Sequence, residues 1–266
     1  GSEMCIRDRH GATLRIDVDG TLRYDPRTSL DGLAAGESIV ESFTYEIEDA
    51  DEEGSVASVT IVVVGVDDAP VAVADEAATF EDGSVVIDVV ANDTDVEGDS
   101  FSVVSLDLGE TLGSAVIENG AVHYSASGAL AALGAGEQLE DVLFYEIAGP
   151  SGGSGWGTVT VTVIGANDAP VAFADITKTL QDTAVLIEVL RNDIELDSSD
   201  VLTVSLVVGP AHGSAAVNPD GSISYEPDAG YVGGDSLTYQ IVDSSGETSS
   251  ATVNLSVVAP SDPGGS

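Results

Sequence analysis

Val159-Thr160-Val161-Thr162-Val163 alternates a branched apolar side chain with a hydroxyl at every step. Successive side chains on a strand point to opposite faces, so three valines turn inward and two threonines toward water. The pattern stands again at Val59-Thr60-Ile61-Val62-Val63 and at Val253-Asn254-Leu255-Ser256-Val257. Upstream of each lies a second alternating run: Phe43-Thr44-Tyr45-Glu46-Ile47, Leu143-Phe144-Tyr145-Glu146-Ile147 and Leu237-Thr238-Tyr239-Gln240-Ile241. Further upstream, Asp19-Gly20, Asn119-Gly120 and Asp220-Gly221 separate short apolar runs. Such pairs favour the positive φ of two-residue hairpin turns. The chain thus holds three copies of one half-unit of antiparallel strands.

Working outward, the joints repeat too. Gly65-Val66-Asp67-Asp68-Ala69-Pro70-Val71-Ala72 returns one hundred residues later as Gly165-Ala166-Asn167-Asp168-Ala169-Pro170-Val171-Ala172. Ala74-Asp75 returns as Ala174-Asp175, and Asn92-Asp93 as Asn192-Asp193. A repeat of that length is a domain, not a solenoid turn. The N-terminal half-unit occurs twice, with strands expected over 71–74, 85–89 and 101–105 and near Val171, Val185 and Leu202. With about seven strands per unit and no helical period, the expected fold is all-β: tandem Ig-like or cadherin-like sandwiches, the first copy partial. The divisions are a leader over 1–9 that reads as foreign to the repeat, a partial repeat over 10–66, complete repeats over 67–166 and 167–258, and a flexible tail over 259–266. Lacking its N-terminal half, the first copy (10–64) is expected to be the least stable part.

Charge narrows the function classes. Lys and Arg number 7 against 47 Asp and Glu, a net charge of -40. Nucleic acid is excluded as a partner, because phosphate contact needs clustered cations. Anionic membranes are disfavoured for the same reason. So much like charge opposes compaction, and divalent cations or external salt would neutralise it. The hydrophobic content of 43% and mean hydropathy of +0.19 speak against disorder. The single cysteine, Cys5, rules out an internal disulfide, and bound metal is the alternative staple for an extracellular chain. No apolar run approaches the ~20 residues that span a bilayer, and 1–9 has no signal-peptide pattern. The expectation is a monomer without membrane insertion, whose partners are its own neighbouring repeats.

The acids gather at the joints. Asn92-Asp93-Thr94-Asp95-Val96-Glu97-Gly98-Asp99 offers a run of oxygen-bearing side chains and a turn glycine. Calcium takes six to eight hard oxygens in flexible geometry, which such a loop can supply. Alternate residues of extended chain point the same way, so Asp93 and Asp95 are expected to share an ion, with Glu97 and Asp99 beside them. Asp67, Asp68, Asp75, Glu81 and Asp82 are expected to close a site between the first and second units. Asn167, Asp168, Asp175 and Asp182 are expected to do the same between the second and third, and Asp193, Glu195 and Asp197 are metal candidates of the third unit's counterpart to the 92–99 loop. Two carboxylates ~4 Å apart repel by roughly 4 kcal/mol at an effective dielectric of 20. Without a cation they splay or take up protons, so a joint loose without calcium and stiff with it is expected.

These residues resemble the VCBS and cadherin-like (bacterial Ig-like) tandem repeats of large bacterial RTX-type adhesins. The stretches that carry the resemblance are Tyr24-Asp25-Pro26, Leu33-Ala34-Ala35-Gly36-Glu37-Ser38, Phe43-Thr44-Tyr45, Val66-Asp67-Asp68-Ala69-Pro70 and the 91–99 loop. It covers about 10–258. The third unit is more similar to the bacterial Ig-like variant, through Pro210-Ala211-His212-Gly213 and Tyr225-Glu226-Pro227. The resemblance implies sandwiches in tandem, exported to the cell surface, often calcium-bound and not catalytic. It points to extender repeats projecting a distal binding domain, whose targets would be cell-surface glycan or protein. One departure is Ile194-Glu195-Leu196-Asp197-Ser198-Ser199-Asp200, which shifts the carboxylate register and is expected to weaken that loop as a calcium site.

Other readings compete. The acids are also what solvated, salt-adapted loops look like, above all Asp17, Asp19, Asp49, Asp51, Glu52 and Glu53. A glycan- or protein-binding module would use the Gly/Ser-rich 149–157 loop and Trp156. An accessory region of an exported hydrolase is a third reading. His10, His123 and His212 are isolated from one another in sequence, unlike a zinc set. No Gly-x-Ser-x-Gly elbow places a nucleophile on a strand-to-helix turn, and the 149–157 loop lacks the Lys of a phosphate-binding motif. The recurring Tyr24, Tyr124 and Tyr225 favour packing over recognition.

Overall fold

The structure, a computed structural model, describes residues 4–7, 12–26, 30–49, 51–126 and 128–260. Gly1-Ser2, His10 and the tail beyond 260 lie outside the described residues. The second unit comprises β6 (Asp75–Phe80), β7 (Ser84–Ile87), β8 (Ser102–Asp107), β9 (Ser114–Glu118), β10 (Ala121–Ser125), β11 (Gln138–Ala148) and β12 (Ser154–Ile164), after the first unit's β1 (Met4–Arg7), β2 (Thr13–Ile16), β3 (Leu22–Asp25), β4 (Ser38–Glu48) and β5 (Gly54–Val64). The third unit repeats the second with β13 (Asp175–Leu180), β14 (Val185–Ile187), β15 (Thr203–Val208), β16 (Gly213–Val217), β17 (Ile223–Pro227), β18 (Gly233–Val242) and β19 (Thr248–Val258). Each full unit is a four-stranded sheet over a three-stranded one: β6-β12-β11-β8 with β7-β10-β9, and β13-β19-β18-β15 with β14-β17-β16. The all-β tandem sandwich follows as expected.

The inward residues of the alternating runs build the cores. Val159, Val161 and Val163 are fully buried, as are Leu143, Tyr145 and Ile147. They meet Val89, Val122 and Tyr124 from the facing sheet. Gly157, opposite Tyr145, leaves the room that the ring fills. The third core repeats this with Tyr225, Tyr239, Leu237 and Val253. Both buried clusters belong to the complete units. In the first unit Ile47, Val56 and Val62 are exposed.

The recurring tyrosines are core residues with a polar anchor. Tyr124 donates to Asp141 at 2.5 Å, Tyr225 to Asp235 at 3.0 Å and Tyr24 to Glu41 at 2.9 Å. Asp141 also accepts from the backbone N–H of Leu112 and Gly113. These acids clamp the two sheets together and are structural, not solvated.

Several local expectations change. The 71–74 stretch makes only the bridge Val71↔Thr94, and the strand begins at Asp75, running parallel to β12. Its alanines and threonine carried too little hydrophobic alternation to show it. The two-residue turn forms at Asn119-Gly120, where both φ are positive. At the other two hairpins the loops are five residues, 17–21 and 218–222. There Asp19 and Asp220 accept from the N–H two residues on, so that only the glycine turns left-handed. The leader stretch Met4–Arg7 pairs with β2 on the edge opposite β3. In the second unit the corresponding edge, that of β9, is open.

Candidate metal centre

The parallel strand β6 decides where the acids go. It enters the sheet at Asp75 beside Val159 and leaves beside Ile164, where β12 runs into the linker 165–168. Glu81 and Asp82 therefore emerge at the second seam, not the first. That corrects their expected place. The N–H of Glu81 donates to the Ile164 carbonyl at 3.0 Å. Its carboxylate, 0% exposed, accepts from Ala166 N–H at 2.7 Å and Leu133 N–H at 3.2 Å. By the same geometry Asp182 leaves the third unit at its far end, where it accepts from Gly230 N–H at 2.7 Å. It is no part of the second seam.

Across that seam one carboxylate oxygen each from Glu81, Asp168 and Asp197 lie within 4.8 Å of one another. Beside them Glu195, Asp200 and Asp243 form a second such group. Asp197 Oδ2 accepts from Asp168 N–H at 2.9 Å, while Glu195 accepts from Asp197 N–H at 3.0 Å. Asn167 donates to Asp243 at 2.9 Å. Asp243 in turn accepts from Ser245 and Glu247 N–H. Ser198 reaches back to the Ala132 carbonyl of the second unit, tying the units directly. Sequence reading missed Asp200 and Asp243. Asp243 lies 76 residues from Asn167, and no local spacing announces it.

The donor set fits a hard cation. Asp197 is 1% exposed, yet its Oδ1 has no hydrogen-bond partner. Glu195 Oε2, Asp200 Oδ2 and Asn167 Oδ1 are buried and equally unpartnered. Burial pushes the Glu81 carboxyl above its ordinary range, and the charges of Asp168 and Asp197 add to it. Asp168 is raised by burial and by Asp82 and Asp197. Glu195 is raised by burial and then by Asp197, Asp200 and Asp243. Asp243 is instead held down, chiefly by Asn167. Buried anions without donors cost several kcal/mol each on the general scale unless a cation pairs them.

The first seam has the same linker but a thinner shell. Asp68 N–H donates to Glu97 at 3.2 Å, and Glu97 N–H to Asp95 at 3.0 Å. The loop 194–200 thus keeps the roles of 94–99 with acid lengths exchanged: Asp95 and Glu97 become Glu195 and Asp197. The altered register, expected to weaken the loop, sits where the carboxylates converge most. Asp68 is exposed, whereas Asp168 is half-buried. Asp99 N–H donates to Asp95, and Asp67 is half-buried beside this group. Gly149 stands where the third unit has Asp243, each closing the same turn with the residue four positions on.

The remaining predicted ligands lie inside each unit. Asp93 accepts from Val73 N–H at 2.7 Å and from Tyr145 at 3.1 Å. Asp193 does the same with Phe173 N–H and Tyr239. Asp75 and Asp175 face them, each with a buried unpartnered Oδ2 and a carboxyl raised mainly by burial. Asp93 and Asp95 therefore do not share a site: one faces the core tyrosine and the other the seam.

Similarity to known proteins bears on this architecture. The sequence matches the bacterial Ig domain family twice, over 67–162 and 167–256. No curated protein matches the chain. Protocadherin gamma B2 cadherin domains 1–5 are similar at 12% identity and a TM-score of 0.47, over 94% of this chain and 51% of that one. The chain thus spans about half of that structure's length. Mouse cadherin-23 EC22–24 is similar at 14% identity and a TM-score of 0.48, over 93% and 82%. An endo-fucoidan hydrolase from glycoside hydrolase family 107 is similar at 15% identity and a TM-score of 0.28, over 97% and 38%. No helix among the described residues is long and apolar enough to cross a membrane. Two tandem matches that together take in well over half of the chain make it a member of the bacterial Ig domain family.

Proposed function

We propose that the chain is a calcium-stiffened spacer of a secreted bacterial surface adhesin. Its sandwiches extend the protein, and ions at the seams set how far adjacent units bend. The observation that carries this reading is Asp197: a residue 1% exposed, with an Oδ1 unpartnered among the described residues, whose carboxylate gathers with those of Glu81 and Asp168. Glu81 belongs to the unit before the linker, Asp168 to the linker and Asp197 to the unit after it. A cation bound by all three would couple three segments that otherwise repel. Glu195, Asp200, Asp243 and the Asn167 carbonyl would hold a second ion beside it. The role of projecting a distal binding domain belongs to the same proposal, as does export.

Calorimetric titration with calcium, paired with small-angle scattering with and without chelator, tests it. The expected result is binding near the 10⁻⁴–10⁻³ M scale, roughly that of extracellular modules. The maximum dimension should narrow in spread when calcium binds. No heat and an unchanged scattering curve would end the proposal.

A further inference from the structure

The outer face of the second unit's four-stranded sheet differs from its counterparts. Trp156 on β12 stands opposite Glu146 on β11, and Glu146 opposite Ser105 on β8. The next row is Thr158, Phe144 and Asp107. Trp156 is 54% exposed and Phe144 44%, diagonal neighbours on one face. Ser105 Oγ donates to Glu146 at 2.7 Å, which fixes that carboxylate beside the indole. The same positions hold Val56 and Thr44 in the first unit and Ser250 and Thr238 in the third. The aromatics are thus no requirement of the fold, and core packing does not use them.

Charge names the partner. No Lys or Arg occurs anywhere between Asp67 and Asn167, so the second unit supplies no cation of its own to these rings and acids. Glu76 and Glu140 extend the negative face along the same sheet. An aromatic ring attracts a cation through its quadrupole, and a neighbouring carboxylate adds a directed hydrogen bond. We propose that this face docks a cationic protein segment, with arginine or lysine side chains laid over Trp156 and Phe144 and paired to Glu146 and Asp107. The surface is independent of the seam acids, so it stands whether or not calcium binds there.

Trp156 is the only tryptophan, so its fluorescence reports on this face alone. The test titrates the protein with capped Gly-Arg-Gly-Arg-Gly and its glutamine counterpart at low salt. Saturable change with the arginine peptide only, weakened by added salt, is expected. Phe144→Ala and Glu146→Gln should each weaken binding by about two- to fivefold, the exposed cation–π scale. Phe144→Leu keeps apolar bulk should the alanine variant not fold. Glu226→Gln, an exposed acid of the third unit, should change nothing. No saturable response, an equal loss in Glu226→Gln, or a response to a neutral cello-oligosaccharide in place of the peptide would each overturn the proposal.

Discussion

The two seams carry the same linker and differ in what closes around it. At the second, Glu81 reaches down from the preceding unit and Asp243 up from the following one. At the first, Gly149 takes the place of Asp243. Asp68 is exposed where Asp168 is half-buried, and Glu97 is half-buried where Asp197 is enclosed. A linker motif is therefore not a site. The proposed site draws carboxylates from both flanking units, Glu81 from one and Asp197 from the other. Gly149 is a substitution within the repeat.

The largest expected effect is a calcium dependence stronger at the second seam than at the first. At a hundredfold excess over Kd, a ligand selective for the folded form adds about 2.7 kcal/mol. Hydrogen exchange should show calcium slowing Ala166 and Asp168 far more than Asp68. Equal protection at both linkers would break the comparison.

Glu81→Ala tests the same seam. It leaves the half-buried Ala166 N–H without its 2.7 Å acceptor, at a cost of about 1 kcal/mol. Chemical denaturation with calcium present measures it. At the first seam, Glu97→Ala frees only the N–H of the exposed Asp68 and should cost far less. If the two losses agree, the seams do not differ in the way described.

A control bears on the units themselves. Tyr145 and Tyr239 occupy equivalent anchors, donating to Val73 and Phe173 carbonyls at 2.8 and 2.9 Å. Replacing either with Phe should cost about 1.5 kcal/mol, and the same in both units. Unequal losses would move the difference from the seams into the cores.

Gly149→Asp sharpens the comparison by building what the first seam lacks. The added Cβ meets nothing closer than the Ser100 carbonyl at 4.0 Å, and Gly149 does not need a positive φ. Calcium affinity at that seam should rise about tenfold, or 1.4 kcal/mol, by titration. An unchanged isotherm would show that Asp243 is not what completes the second seam.

What could be read from the chain follows from the range of the forces. Val159-Thr160-Val161-Thr162-Val163 announces its strand because alternation is local. The seam acids were legible as a class, since Asn167-Asp168 and Glu195 to Asp197 cluster in sequence. Glu81 was legible as acidic and misplaced by a whole unit length. Its end of the molecule depends on β6 running parallel to β12, a pairing across more than eighty residues. Asp141 and Asp235 gave no signal in the sequence as clamps, because only tertiary packing brings Tyr124 and Tyr225 to them.

The smallest effect expected is also the one whose sign is most diagnostic. Glu81, Asp168 and Glu195 have carboxyls raised above their unfolded range, chiefly by burial. A raised acid binds its proton more readily folded than unfolded. Without calcium, stability should therefore grow as pH falls from neutral toward the unfolded value, about 4, through the raised native ones. Asp243 and Asp235, held below that range, act oppositely at lower pH and cap the gain. With calcium the sign should invert, because protons and cation compete for the same oxygens. Melting temperature against pH, with and without chelator, reads both slopes. Parallel slopes would mean that the buried acids of the second seam and the calcium-binding groups are different residues.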